Sequence, residues 1–379
     1  MPRVGHVLLV TWAAGGNTVP AVGLVGELVR RGHDVRVLAP SVLLERFERA
    51  GARFRPLVRA RAPHLVEEDV FDDHLLAWTR YISGSRIAED VLDDLGSERT
   101  DVAVVDAFLS GALAAVEKAR VPSVVLVHVL YEPSVEGPLA RQWDPTRPIV
   151  ESTRELLALP ELDPGAPLVA ALWGRADKVL VCAPRSFDFP SRDLAANVRY
   201  VGPILEDPPR GRPCTRRRTV LVSLSTTEMR QEAVLQRILD AVAGLDAEIV
   251  CTLGRIPVPG LRAPAGVTVH DWLPHGEVLP RTAVAVTHAG LSTVMGALVS
   301  AVPLVCLPFG RDQPVNARRV EMLGLGESLS TDSPEREIES SVRAVLGDPS
   351  YAERAAAMAE DIARYGAGAV AVAEVESLL

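Results

Sequence analysis

Short apolar, β-branched runs alternate with stretches of helical periodicity along the whole chain. Residues 7–10, 35–38, 102–105, 123–127 and 178–181 are near-continuous apolar segments of strand length. That pattern belongs to strands buried on both faces of a parallel sheet. Between them, 21–31 has helical spacing and stops at Gly32, and 110–120 predicts a second helix. The second half repeats the logic, with predicted strands at 219–223, 248–252, 267–269, 283–286 and 304–307 and helices at 293–299 and 351–365. Alternation of strand and helix in both halves predicts an α/β protein of two doubly wound parallel-sheet domains. The stretch 202–218 is rich in Pro, Gly and Arg. It sets the domains at 1–203 and 219–379, joined by a linker at 204–218.

Composition narrows the partners. The chain has 379 residues and is 48% apolar, enough to bury two cores, with only 4% aromatics. A net charge of −9 argues against nucleic acid or an anionic membrane as a partner. No apolar run reaches membrane-spanning length, and 7–10 is too short for a signal sequence. Cys182, Cys214, Cys251 and Cys306 have no Cys-x-x-Cys spacing, and three of them lie in apolar runs. Buried thiols in a reducing cytoplasm are the expectation. Glu67, Glu68, Asp69, Asp72, Asp73 and His74 cluster in sequence and read as a solvated acidic loop; with no Asp-x-Asp and no His-Glu-x-x-His, no metal is expected.

The chemistry concentrates near the C-terminus. Thr287-His288-Ala289-Gly290-Leu291-Ser292-Thr293 ends an apolar run, turns through glycine and enters a helical pattern with Ser292 and Thr293 as candidate caps. A strand, a glycine turn and a helix start make an anion site, because free N–H groups and the positive end of the dipole face the ligand. His288 stands at its mouth as a phosphate donor. After the next apolar run come Asp312 and Gln313, a carboxylate beside an amide, suited to vicinal hydroxyls. Phosphate in one loop and polyol in the next describe a nucleotide-sugar.

Asp271-Trp272-Leu273-Pro274, His288-Ala289-Gly290, Ser292-Thr293-Val294 and Asp312-Gln313-Pro314-Val315-Asn316 occur in this order. The segment 271–326 resembles the donor-binding signature of the nucleotide-sugar-dependent family 1 glycosyltransferases, those of actinomycete antibiotic biosynthesis among them. The resemblance implies a GT-B fold, two Rossmann-like domains facing across a cleft. It also implies inverting transfer of a sugar or deoxysugar from a TDP- or UDP-sugar, a co-substrate rather than a cofactor. Trp272 and Leu273 are then expected at the base, and His288, Gly290, Ser292, Thr293, Ser225 and Thr226 at the diphosphate. Asp312 and Gln313 are expected at the sugar. The last helix is expected to cross back to the first domain.

The N-terminal loop departs from the family. In Gly15-Gly16-Asn17-Thr18, Asn17 stands where the family usually has a catalytic histidine, and an amide is no general base. Asp106, at a strand end, matches the family's supporting aspartate, with an N-cap as its plainer reading. His128, at the end of another strand, is an alternative base. Trp78, Tyr81, Leu130, Tyr131 and Trp143 suggest an apolar, ring-bearing small-molecule acceptor. The missing histidine keeps a non-catalytic or partner-dependent homologue as the rival reading, and homodimerisation is left open. A nicotinamide dehydrogenase is disfavoured because Pro20 stands where its glycine turn needs a glycine. A nucleotide-sugar 2-epimerase would share the fold and differ in its products.

Overall fold

The computed structural model describes residues 4–63, 71–190, 194–209, 219–227 and 229–379, with only the backbone described over 71–76. The first sheet contains β1 (His6–Val10), β2 (Asp34–Ala39), β3 (Arg53–Pro56), β4 (Val102–Asp106), β5 (Ser123–Val127), β6 (Lys178–Val181) and β7 (Val198–Tyr200). The second contains β8 (Thr219–Ser223), β9 (Glu248–Thr252), β10 (Val267–His270), β11 (Thr282–Thr287), β12 (Leu304–Cys306) and β13 (Gly326–Ser328). Every pairing is parallel. This is the two-domain doubly wound architecture expected from the alternation.

The strand orders are β3-β2-β1-β4-β5-β6-β7 and β10-β9-β8-β11-β12-β13. In each sheet the winding reverses once, between β1 and β4 and between β8 and β11. Helices that leave neighbouring strands toward opposite faces open a crevice there, at the carboxyl ends. Both candidate sites fall at these two crevices.

Three strands lie outside the sequence expectation: β3, β7 and β13. Each is short, carries charged or polar residues and sits at or next to a sheet edge, where one flank stays wet and no apolar run is required. The linker stretch falls between the two sheets, with 210–218 and Cys214 outside the described residues. Cys182, Cys251 and Cys306 are free and buried. Glu67, Glu68 and Asp69 also lie outside the described residues, as do the side chains of Asp72, Asp73 and His74. Among the described residues no helix is long and apolar enough to cross a membrane, and no group of three His, Cys, Asp or Glu is placed to hold a metal.

The C-terminal helix Ala369–Glu376 packs on the first domain. Ala371, Val372 and Val375 share a core with β1 and the helix Thr18–Arg30, and Glu376 accepts from Arg31 at 3.0 Å. Polar contacts also cross between the halves nearer the cleft. Arg319 donates from Nε to the Phe187 carbonyl at 2.8 Å and from Nη2 to that of Ser186 at 3.1 Å. Ser292 Oγ donates to the Gly16 carbonyl at 2.7 Å.

Candidate active site at the facing sheet ends

On the N-terminal side the crevice between β1 and β4 holds Asp106, 4% exposed at the last position of β4. Its Oδ1 accepts from Trp12 Nε1 at 3.1 Å and from the Phe108 N–H at 3.1 Å, and it lies 3.3 Å from His128 Nε2. Its Oδ2 accepts from Asn17 Nδ2 at 2.9 Å. Burial works to raise the Asp106 carboxyl, but His128, Asn17 and the Phe108 N–H together hold it below the usual range. Burial likewise works against a charged His128, yet Asp106 and, further off, Asp312 bring its pKa above the ordinary histidine value. Asp106 and His128 therefore form a carboxylate–imidazole pair. The N-cap reading of Asp106 is corrected: the helix Ser110–Ala119 starts from Leu109 without a side-chain cap.

Asn17 is 2% exposed and committed to its surroundings. Besides Asp106, its Nδ2 donates to the Trp12 carbonyl at 2.8 Å, and its Oδ1 accepts from the Ala14 N–H at 3.1 Å. It pins the 12–17 loop to Asp106 and leaves no basic atom for an acceptor. Trp12 escaped the sequence reading. Its signal was its position two residues after β1, at the ligand-facing end of a central strand.

Aromatic rings flank the pair on two sides. Trp78 lies edge-on to Trp12 at 5.4 Å, with Tyr81 5.7 Å from Trp78. Phe108 meets His128 at 5.3 Å and Trp143 at 4.9 Å, and Tyr131 stacks on Trp173 at 6.0 Å. Of the five predicted acceptor residues, Leu130 and Tyr81 are buried in the core, Leu130 at 2% exposed as the N-cap of the helix Tyr131–Val135 and Tyr81 at 6%. Phe108 takes a place on the wall that the sequence reading had not given it.

On the C-terminal side the crevice lies between β8 and β11. The helix Leu291–Val299 has Gly290 as its N-cap and no side-chain cap, so the expectation of Ser292 or Thr293 as cap is corrected. Gly290 lets the chain turn beneath the His288 ring: a Cβ there would stand 2.5 Å from His288 Nε2. Ser292 instead reaches across the cleft to Gly16, and Thr293 is half-buried in the first turn. Burial, and after it the Arg311 charge, push the His288 pKa down to about 4. At neutral pH His288 is an uncharged donor.

The other expected donor residues surround this turn. Ser225 is buried, its Oγ accepting from the Thr227 N–H at 3.0 Å, whereas Thr226 is exposed. Trp272 is 47% exposed, with the Arg255 guanidinium 4.9 Å above its ring, and Leu273 packs partly on the core. Asp312 precedes the helix Gln313–Met322, accepts from Asn316 Nδ2 at 2.9 Å and has its pKa raised by burial. Asn316 Nδ2 also donates to the Ala289 carbonyl at 3.0 Å, tying the two donor loops together. Gln313 is 3% exposed and its Oε1 accepts from the Phe309 N–H at 2.8 Å, so that oxygen holds its own loop. His275, absent from the sequence reading, lies 3.2 Å from Ser223 Oγ through Nε2 and braces the end of β8.

The two-domain fold that carries these two crevices is shared with known proteins. Residues 236–378 match the family described as erythromycin biosynthesis protein CIII-like, C-terminal domain. The chain is 28% identical to 4'-demethylrebeccamycin synthase of Lentzea aerocolonigenes, over 99% of each. Over most of its length this chain is similar to named antibiotic glycosyltransferases. Demethyllactenocin mycarosyltransferase of Streptomyces fradiae is 29% identical, over 100% of this chain and 87% of the relative. The fold of this chain matches the crystal structure of a calicheamicin glycosyltransferase with a TM-score of 0.81 at 24% identity, covering 100% and 98% of the two chains. The glycosyltransferase VinC, solved in complex with dTDP, matches with a TM-score of 0.68 at 20% identity, over 98% and 99%.

Proposed function

We propose that this protein moves a sugar or deoxysugar from a TDP- or UDP-sugar to a small, ring-bearing natural-product acceptor, with inversion. The observation that carries the reading is the His128–Asp106 pair, whose His128 lines a small void with Leu291, Ser292 and Met295 at the donor-side helix start. With Nε2 held by Asp106, Nδ1 is the nitrogen left to take the acceptor proton. The acceptor oxygen or nitrogen then attacks the anomeric carbon opposite the leaving group. The bond from that carbon to the phosphate oxygen breaks, its electron pair going to the diphosphate. Asp106 offsets the charge that grows on the imidazole, and Asn17 and Trp12 orient Asp106. The helix start at Leu291 and the neutral His288 donate toward the diphosphate. Trp272 offers a stacking face for the base, and Asp312 and Gln313 are assigned to the sugar. The similar glycosyltransferase VinC, solved in complex with dTDP, supports a thymidine nucleotide as the first choice.

The test is titration calorimetry with TDP and UDP, followed by transfer assays with TDP-sugars on aromatic acceptors. His128→Ala is expected to keep donor affinity and lose about 10²–10⁴ in kcat. An unchanged kcat would remove His128 from the role of base. Nucleotide binding without transfer to any acceptor would move the weight to a non-catalytic or partner-dependent protein.

A further inference from the structure

One cation at the donor crevice has no part in the reading above. Arg311 has a φ of 58°, in the left-handed region where a glycine sits freely and a residue with a Cβ is strained. Strained backbone of this kind persists where its surroundings impose it, and clusters at ligand sites. The guanidinium is exposed, makes no salt bridge among the described residues, and donates through Nη1 to the neutral Thr227 Oγ1 at 3.2 Å. Thr227 Oγ1 in turn lies 2.9 Å from Ser225 Oγ. A cation held by one hydroxyl, with no carboxylate bonded to it, is electrostatically unfinished.

The sheet order says which end of a donor Arg311 meets. Along the carboxyl ends, Trp272 follows β10, Ser225 follows β8, His288 follows β11, and Arg311 with Asp312 follows β12. A nucleotide-sugar laid with its base on Trp272 and its sugar at Asp312 has its β-phosphate between β11 and β12. Arg311 spans that position from the sugar side, reaching back to the β8 loop. We infer that Arg311 is the cationic clamp for the β-phosphate of the leaving nucleoside diphosphate. This rests on the donor-cleft reading above and names the residue that supplies full positive charge within it. His288, held neutral by burial, supplies none. Guanidinium geometry suits two phosphate oxygens at once, and in that state the bond to Thr227 becomes secondary.

The test compares calorimetric titration of TDP and TMP into wild type, Arg311→Ala, Arg311→Lys and Trp272→Ala. Arg311→Ala is expected to weaken TDP at least about tenfold and TMP by less than about threefold. Arg311→Lys should recover part of the TDP affinity, while Trp272→Ala should weaken both nucleotides alike. Arg311→Ala binding TDP as wild type does, or losing TDP and TMP equally, overturns the clamp and leaves the donor cleft standing. Wild type binding neither nucleotide overturns the cleft and the clamp together.

Discussion

Asn17→Ala separates a structural pin from a catalytic group. The truncation removes the donor to Asp106 Oδ2 at 2.9 Å, the donor to the Trp12 carbonyl at 2.8 Å and the acceptor of the Ala14 N–H at 3.1 Å. Each buried polar group left without a partner costs roughly 1–3 kcal/mol, and more where the group is charged. The Ala14 amide is partly wet and recovers part of its loss from water. The sum is about 3–5 kcal/mol of stability in the first domain. At about 2–4 °C per kcal/mol for a domain of this size, its unfolding midpoint should fall by roughly 6–20 °C. Asp106 keeps His128, Trp12 and Phe108, so the carboxylate–imidazole pair survives in the molecules that remain folded. Transfer per folded molecule, assayed well below the melt, should drop only about tenfold. Calorimetric melting and initial rates on one preparation give both numbers. A variant that melts within about 2 °C of wild type while losing more than about a hundredfold in kcat would refute this and return Asn17 to direct chemistry.

The remaining predictions concern protons. Asp106→Asn removes the main charge that opposes burial of His128, leaving Asp312 as a lesser one, so the acid limb of kcat/KM, high in wild type because Asp106 raises His128, should move to lower pH. The sign for stability agrees. A raised His128 pKa stabilises the fold below the ordinary histidine value and that contribution is lost as pH climbs through the folded pKa, so Asp106→Asn should flatten this slope in urea titrations. His288 runs the other way. With its folded pKa at about 4 against an ordinary 6.5, stability is complete above about pH 6.5. It then falls by about 3 kcal/mol as pH drops to about 4, because only the unfolded chain takes the proton. His288→Gln should remove that loss, read as urea midpoints at pH 7.5 and 4.5; equal acid sensitivity in both proteins would refute a buried neutral imidazole.

Local sequence determined most of the scaffold and one wall of the site. Runs such as 102–105 and 220–222 are apolar at every position, so they fold only as strands covered on both faces. The donor-side loops were legible because each directly follows a strand of the second sheet, 272 after β10, 288 after β11 and 312 after β12, within one short stretch of chain. The charged edge strands β3 and β13 were not legible, since their pairing is set by a neighbour and not by their own composition. The acceptor side was decided by tertiary structure alone. Asn17, Asp106 and His128 stand 89 and 22 residues apart in sequence, and only the reversal of strand order between β1 and β4 brings them within one hydrogen-bonded cluster. That arrangement turned Asn17 from a defect in a motif into the pin of a carboxylate–imidazole pair. Leu130 shows the same limit: its apolar character was plain, but whether it faced the cleft or the core depended on the turn after β5. Burial, charge and orientation at such positions are properties of the packed neighbours, which a linear pattern of residues does not contain.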